Sequence, residues 1–221
     1  MKVPILLPNI FNYPFTYQSD LNLKVGEYVI VPFGKTKMIG VVWNHFEKKN
    51  EKNFQIKKII KRLKIIPLNE NTIKFLNWFS QYNLIPKGMS LKLHLLNSEA
   101  AEEIPDKEFE SYRLVKKKSD FKLSKEQEKS LDELKIKNKE FRVHVLQGTT
   151  GSGKTIVYFN SIKDKIDKGY QGLILLPEIG LTSEFEKKFI DFFGFNPAIW
   201  HSGITKKKKK IIWHGLKNGK I

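Results

Sequence analysis

The sequence predicts an α/β chain: a small β-rich domain, then a parallel α/β lobe built around a phosphate-binding loop and still incomplete at residue 221. Three observations lead there. Over roughly the first 66 residues, short β-branched and aromatic runs alternate with turn signals. From Ser124 onward, apolar runs of strand length alternate with segments of helical period, the mark of βαβ units on a parallel sheet. Residues 148–155 form a glycine-rich loop between one such run and the next helix.

Along the chain, Val3–Leu7, Tyr13–Tyr17, Glu27–Pro32 and Met38–Trp43 read as strands, separated by Pro8-Asn9, Ser19-Asp20, Gly26 and Phe33-Gly34-Lys35. Glu47 to Lys52 reads as a charged loop, and Phe54–Ile66 as a further basic-apolar strand broken at Pro67. The period then changes: Ile73, Leu76, Phe79 and Tyr82, with Phe75 and Trp78 alongside, recur at helical spacing behind Asn69 as N-cap. Met89–Leu96 is a second short helix after Pro86–Gly88. A small barrel or sandwich closed by helices, with Trp43 and Trp78 in its core, accounts for residues 1–97.

Residues 98–121 are polar and read as a linker; residues 122–221 carry the second domain. Ser124-Lys125-Glu126-Gln127 has the form of a capping box, Ser124 as N-cap and Gln127 at the third helical position. The expected order after it is strand (Arg142–Gln147), glycine loop, helix (Ile156–Lys168), strand (Gly172–Leu176), helix (Ser183–Phe193), with Ala198–Trp200 opening the next unit. Lys206–Lys210 reads as a loose basic loop.

Composition narrows the class of protein. Forty Lys and Arg against 23 Asp and Glu leave a net charge of +17, and 40% of residues are hydrophobic. No apolar run approaches the ~20 residues of a membrane-spanning helix, and Pro4 and Pro8 break the opening apolar stretch, so neither a membrane span nor a cleavable secretory signal is expected. With no cysteine, the segment has no disulfide, thiolate zinc site or cysteine nucleophile, as a reducing cytoplasm tolerates. The cationic surplus suits a polyanion, nucleic acid first. An AT-rich coding sequence inflating Lys, Ile and Asn is the other explanation, and composition leaves both open.

Gly148-Thr149-Thr150-Gly151-Ser152-Gly153-Lys154-Thr155 matches G-x-x-x-x-G-K-[ST] at every fixed position. Glycines let the backbone turn so that successive N–H groups converge on a phosphate, and the following helix adds its positive end. Lys154 is placed to reach the β- and γ-phosphates and Thr155 to ligate Mg²⁺, so ATP with Mg²⁺ is the expected ligand. A hydrolase also needs a carboxylate at the end of a later strand. Asp164, Asp167, Glu184, Glu186 and Asp191 do not follow a strand, and Glu178, after Leu173–Leu176 and Pro177, is only the nearest imitation.

Residues 147–155, Leu175–Thr182 with its Pro-Glu-Ile-Gly-Leu-Thr phrase, and Trp200-His201-Ser202-Gly203 resemble successive helicase motifs of the PriA family, the bacterial primosomal replication-restart helicases. Tyr13–Tyr17, Val25-Gly26, Val31–Lys35 and Gly40–Val42 are similar to that family's domain for capturing a DNA 3′ end. The resemblance covers essentially the whole chain. It implies a superfamily 2, RecA-like, ATP-dependent 3′-to-5′ DNA helicase that acts at stalled forks in the bacterial cytoplasm with primosome proteins and single-stranded DNA-binding protein. By motif, the family's 3′-terminal pocket falls on Phe15, Thr16, Gly34 and Lys57, flanked by Tyr17 and Lys35. Thr16 stands where the family usually has aspartate. The later motifs imply DNA contacts from Glu178, Thr182, His201 and Ser202. The family's winged helix has no room in 98–121, and its Asp-Glu-Glu-His motif, zinc-binding cysteines and second lobe are expected downstream of Ile221.

Other features have plainer explanations beside functional ones. Lys57, Lys58, Lys61, Arg62 and Lys64 form either a phosphate-facing stripe or a solvated basic face. Gln127 either reads adenine or simply caps its helix. His201 is either structural or part of a DNA-contacting motif. The whole is expected to be the amino-terminal part of a helicase, inactive as an ATPase by itself. The rivals are a DNA-end-binding module that holds ATP without hydrolysing it, and a small P-loop kinase.

Overall fold

Alternating burial builds the first sheet. In β1 (Lys2–Leu6), Val3 and Ile5 point into the core, and in β3 (Tyr28–Phe33) Val29 and Val31 join them. The computed structural model describes residues 1–46, 55–95, 104–113, 121–135, 141–177 and 182–221, and divides into two compact units, Met1–Ile104 and Pro105–Ile221. In the first unit, β2 (Phe15–Gln18), β4 (Thr36–Val42) and β5 (Lys61–Arg62) complete a five-stranded antiparallel sheet in the order β2-β1-β4-β3-β5.

The expected long strand over 54–66 is in fact a short seam. Gln18 N–H donates to Lys57 O at 2.9 Å and Ile59 N–H to Gln18 O at 2.9 Å, while Ile60 and Leu63 donate to Ile30 and Tyr28 of β3 at 2.9 and 2.8 Å. One stretch thus bonds β2 at one edge and, through β5, β3 on the other side, and closes the sheet into a small barrel. Glu27, buried at 4% exposure, ties this seam down through a 2.7 Å ion pair with Arg62.

Two helices cover the barrel. Asn69 caps α1 (Glu70–Tyr82), its side-chain oxygen accepting from Thr72 N–H at 2.8 Å, and α2 (Lys87–Leu95) follows. Trp43 is buried at 1% exposure as expected, but Trp78 is 52% exposed. The apolar stripe of α1 is wider than the face it buries. Ile73 and Leu76 face inward, leaving Phe75, Trp78 and Tyr82 outside, where Trp78 stacks on Tyr82 with ring centroids 5.1 Å apart.

The second unit is helical among its described residues. A 3₁₀ helix, Asp106–Tyr112, lies in the stretch read as a plain linker, and its Phe109 is 1% exposed. Then come α3 (Lys125–Leu134), α4 (Lys154–Asp167), α5 (Thr182–Phe193) and α6 (Lys206–Lys217). Phe159 of α4 and Phe189, Phe192 and Phe193 of α5 form its buried aromatic core.

Two expectations fail here. Arg142–Gln147 and Gly172–Leu176 carry no ladder hydrogen bonds, so the parallel sheet of the expected P-loop lobe is absent from the described residues. A strand is stable only against a partner, and the alternation alone cannot supply one. Phe141, Val143 and Val145 are 92, 77 and 89% exposed, and Leu173 and Leu175 are 82 and 83% exposed. Lys206–Lys210 is no loop but the first turns of α6, whose N-cap Thr205 accepts from Lys208 N–H at 3.2 Å. Burial of Ile211, Ile212 and Trp213 further along outweighs the repulsion of the lysine run.

Candidate functional site

The glycine loop takes its form from two left-handed residues, Gly151 at φ 82° and Gly153 at φ 80°, the latter serving as N-cap of α4. No acidic side chain lies in the first turn of α4 to cancel its positive end. Lys154 folds back across the loop and donates to Gly148 O at 2.6 Å and Thr149 O at 2.7 Å. Ser152 N–H closes a turn on Thr149 O at 3.3 Å, and a Cβ on Gly148 would lie 2.8 Å from Ser152 Oγ. Thr155 follows in the first turn of α4, and Thr150 lies exposed on the loop. Left-handed glycines, a helix N-terminus with no acid in its first turn, Lys154 and the Thr155 hydroxyl together fit the triphosphate of a nucleotide.

Ser124 and Gln127 form the capping box as read. Ser124 N–H donates to Gln127 Oε1 at 3.0 Å, and Gln127 N–H to Ser124 Oγ at 3.3 Å. Gln127 also does what neither reading of it anticipated: its Nε2 donates to Ser152 O of the glycine loop at 3.1 Å.

On the barrel, Phe15 packs against Phe33 with centroids 5.4 Å apart, and against Phe11 and Tyr13 at 5.3 and 5.2 Å. Gly34 follows at φ 58°, and Lys57 Nζ reaches its carbonyl at 3.4 Å. The structure therefore brings together Phe15, Gly34 and Lys57. Thr16 and Lys35 are exposed, and among the described residues they join none of these contacts. Tyr17 is a correction. It is 4% exposed, part of the barrel core, and its hydroxyl donates to Pro32 O at 3.1 Å, so it presents no ring to a ligand. Phe11 also meets Tyr13 and Phe33, ring contacts that the Phe11-x-Tyr13-x-Phe15 alternation suggests in part.

The later motif residues are less informative. Glu178 lies outside the described residues, and Thr182 opens α5. His201 Nδ1 accepts from Gly203 N–H at 3.1 Å in a turn ahead of α6, a structural bond, and Ser202 is exposed.

Two family matches fall on these two sites. Residues 2–95 match the PriA 3′DNA-binding domain (3′BD), and residues 120–220 match the res subunit of Type III restriction enzymes, a helicase-type domain. The class is thus a DNA-binding domain joined to the beginning of a helicase domain. Among curated proteins, the chain is 34% identical over 226 residues to replication restart protein PriA of Rickettsia conorii, and 36% identical over 225 residues to that of Rickettsia prowazekii; each match covers 98% of this chain and 33% of the relative. The PriA of Bacillus subtilis is 32% identical over 135 residues, 60% of this chain and 16% of its own. The chain belongs with PriA, and the amino-terminal part of such a protein is the part it fits, spanning about a third of the relatives' length.

Proposed function

We propose that this chain binds ATP with Mg²⁺ on Gly148–Thr155 and the 3′ end of a DNA strand on Phe15, Gly34 and Lys57. It would do so as the amino-terminal part of a 3′-to-5′ helicase that restarts replication in the bacterial cytoplasm alongside primosome proteins and single-stranded DNA-binding protein. The observation that carries the reading is the glycine loop itself, with two left-handed glycines at the head of α4 and Lys154 drawn back to the carbonyls of Gly148 and Thr149. Bound ATP supplies the energy-releasing phosphoanhydride. Lys154 would exchange its carbonyl partners for phosphate oxygens, Thr155 would hold the cation, and the loop N–H groups would orient the chain of phosphates. On the barrel, the Phe15 ring offers a stacking face, Gly34 lets a strand end approach the backbone, and Lys57 meets phosphate. Thr16, Lys35, Glu178, Thr182, His201 and Ser202 belong to the same proposal as further DNA contacts.

By themselves, these residues are proposed to bind nucleotide without DNA-stimulated hydrolysis. Three of the acids after Thr155 support this: Asp164 and Glu184 are ion-paired with Lys168 and Lys188 on helix surfaces at 2.9 and 2.6 Å, and Asp167 pairs with Lys163. Titration of the folded chain with labelled ATP tests the reading; saturable binding lost in Lys154→Ala is expected, and no saturable binding ends it. DNA-stimulated phosphate release would overturn the inactive-alone part. Equal affinity for 3′-hydroxyl and 3′-phosphate ends would remove end capture.

A further inference from the structure

We propose that Phe11 and Tyr13 form a second base-stacking site beside Phe15, so that the chain holds the last two nucleotides of a strand and not the terminal one alone. The proposal rests on the reading of Phe15, Gly34 and Lys57 as the strand-end site and concerns how far that site extends.

Four rings make one continuous patch. Phe15 and Phe33 pack against the barrel core, and Phe11 and Tyr13, both half-buried, extend the patch from them. Between ring centroids, Tyr13 lies 5.2 Å from Phe15 and 5.5 Å from Phe11, and Phe11 lies 6.4 Å from Phe33. The ring planes meet at 47° to 86°, so none of the four stacks in parallel on a neighbour, and the geometry a base adopts is unused within the patch. The loop that carries Phe11 and Tyr13 is held. Phe11 N–H donates to Asn9 Oδ1 at 2.9 Å, and the start of α2 grips the same loop, Gly88 N–H donating to Phe11 O and Lys87 N–H to Asn12 Oδ1, each at 3.0 Å. A Cβ on Gly88 would lie 2.4 Å from Asn9 O and 2.6 Å from Leu7 O, so only glycine lets α2 come this close. Rings carried on a fixed loop lose little freedom when a ligand arrives. Pro8–Gln18 contains no acid, and the next one, Asp20, is paired with Lys58 at 3.2 Å, so the patch does not repel a phosphate chain. Every base has a π-face, so such a site is tolerant of sequence. The 5.2 Å between Phe15 and Tyr13 exceeds the ~3.4 Å between stacked neighbours of a strand, so bases on these two rings are unstacked from each other. The ligand is therefore the unpaired 3′-terminal dinucleotide of single-stranded DNA.

Oligothymidine strands with one abasic position, bound to the full chain and read by fluorescence anisotropy, test this. An abasic position second from the 3′ end should weaken wild-type binding roughly five- to fiftyfold, the worth of one stacked base, and one in mid-strand by less than about twofold. Tyr13→Ala should weaken binding of the intact strand by a similar factor and leave binding of the strand abasic at the second position unchanged. Tyr13→Phe keeps the ring and should keep the affinity, whereas Phe15→Ala should weaken both strands alike. Wild-type indifference to the second base, a comparison that needs no variant to fold, would overturn the proposal. So would wild-type affinity in Tyr13→Ala, or an equal loss on both strands in that variant, because Tyr13 would then only support Phe15. A mid-strand loss as large as that at the second position would defeat end capture itself, and the second-base site with it.

Discussion

Phe15 and Tyr17 stand two residues apart on β2 and face the same way, yet Phe15 keeps part of its ring at the surface while Tyr17 is buried. The neighbours decide: Phe15 meets the edges of Phe11, Tyr13 and Phe33, whereas Tyr17 sinks among Val3, Val29 and Val31. Phe15→Ala should weaken binding to a single-stranded 3′ end by about 1–3 kcal/mol, the worth of one stacked base, as read by fluorescence anisotropy on material checked for folding. Tyr17→Phe should leave that affinity alone and cost about 1 kcal/mol in urea unfolding, the bond to Pro32 O. Burial also pushes the Tyr17 hydroxyl up to about 12 and raises that of Tyr28. The folded chain keeps these protons where the unfolded chain, titrating near 10, loses them. Their contribution is therefore intact below about pH 10 and lost as pH climbs toward about 12. Urea midpoints taken from about pH 9 to about pH 11.5 should fall only in the upper part, and by less in Tyr17→Phe. Alternation along β2 made Phe15 and Tyr17 equivalent in the sequence; which of the two is covered depends on strands distant in the chain.

At the scale of elements, α6 and the two ladderless segments mark where local pattern misleads. The five lysines at the start of α6 oppose the helix's own dipole, and their uniform polarity hides any period. The helix forms because Thr205 caps it and Ile211, Ile212, Trp213 and His214 are buried in its second half. Thr205→Ala should lower stability by about 0.5–2 kcal/mol in chemical denaturation. Caps, by contrast, were legible residue by residue at Asn69 and Ser124, since a cap needs only its own next three residues. Segments 141–147 and 172–176 have the right alternation for strands, but their exposed Val143, Val145, Leu173 and Leu175 leave about 1.5–3 kcal/mol of burial per side chain unrealised. Such a face promotes association of the isolated chain. Replacing those four with threonine should reduce sedimenting oligomers at equal concentration. Unchanged oligomers would show that another surface drives association.

Over the whole molecule, what was readable was what is contiguous: the glycine loop and the Phe33-Gly34 turn lie in short stretches, and both acquire their expected backbone form. The union of Phe15, Gly34 and Lys57 spans 42 positions and depended on family resemblance rather than pattern, because a long connection separates them. The net charge of +17 makes DNA affinity a matter of ionic strength as well as shape. Plotted against log salt, log affinity for single strands should fall with a slope of about −0.7 per phosphate neutralised, and Lys57→Ala should make it shallower by nearly one such step.

The seam that closes the barrel counts in odd and even steps. Gln18 grips the chain on either side of Lys58, so Lys57 turns toward Gly34 while Lys58 turns to Asp20, 3.2 Å away. Parity thus decides which side chain lies against Gly34. A slip of one position in one direction would present Ile56 to Gly34, and in the other would hand the task to Lys58; the doubled lysine gives this closure a spare cation against one of its two possible misthreadings.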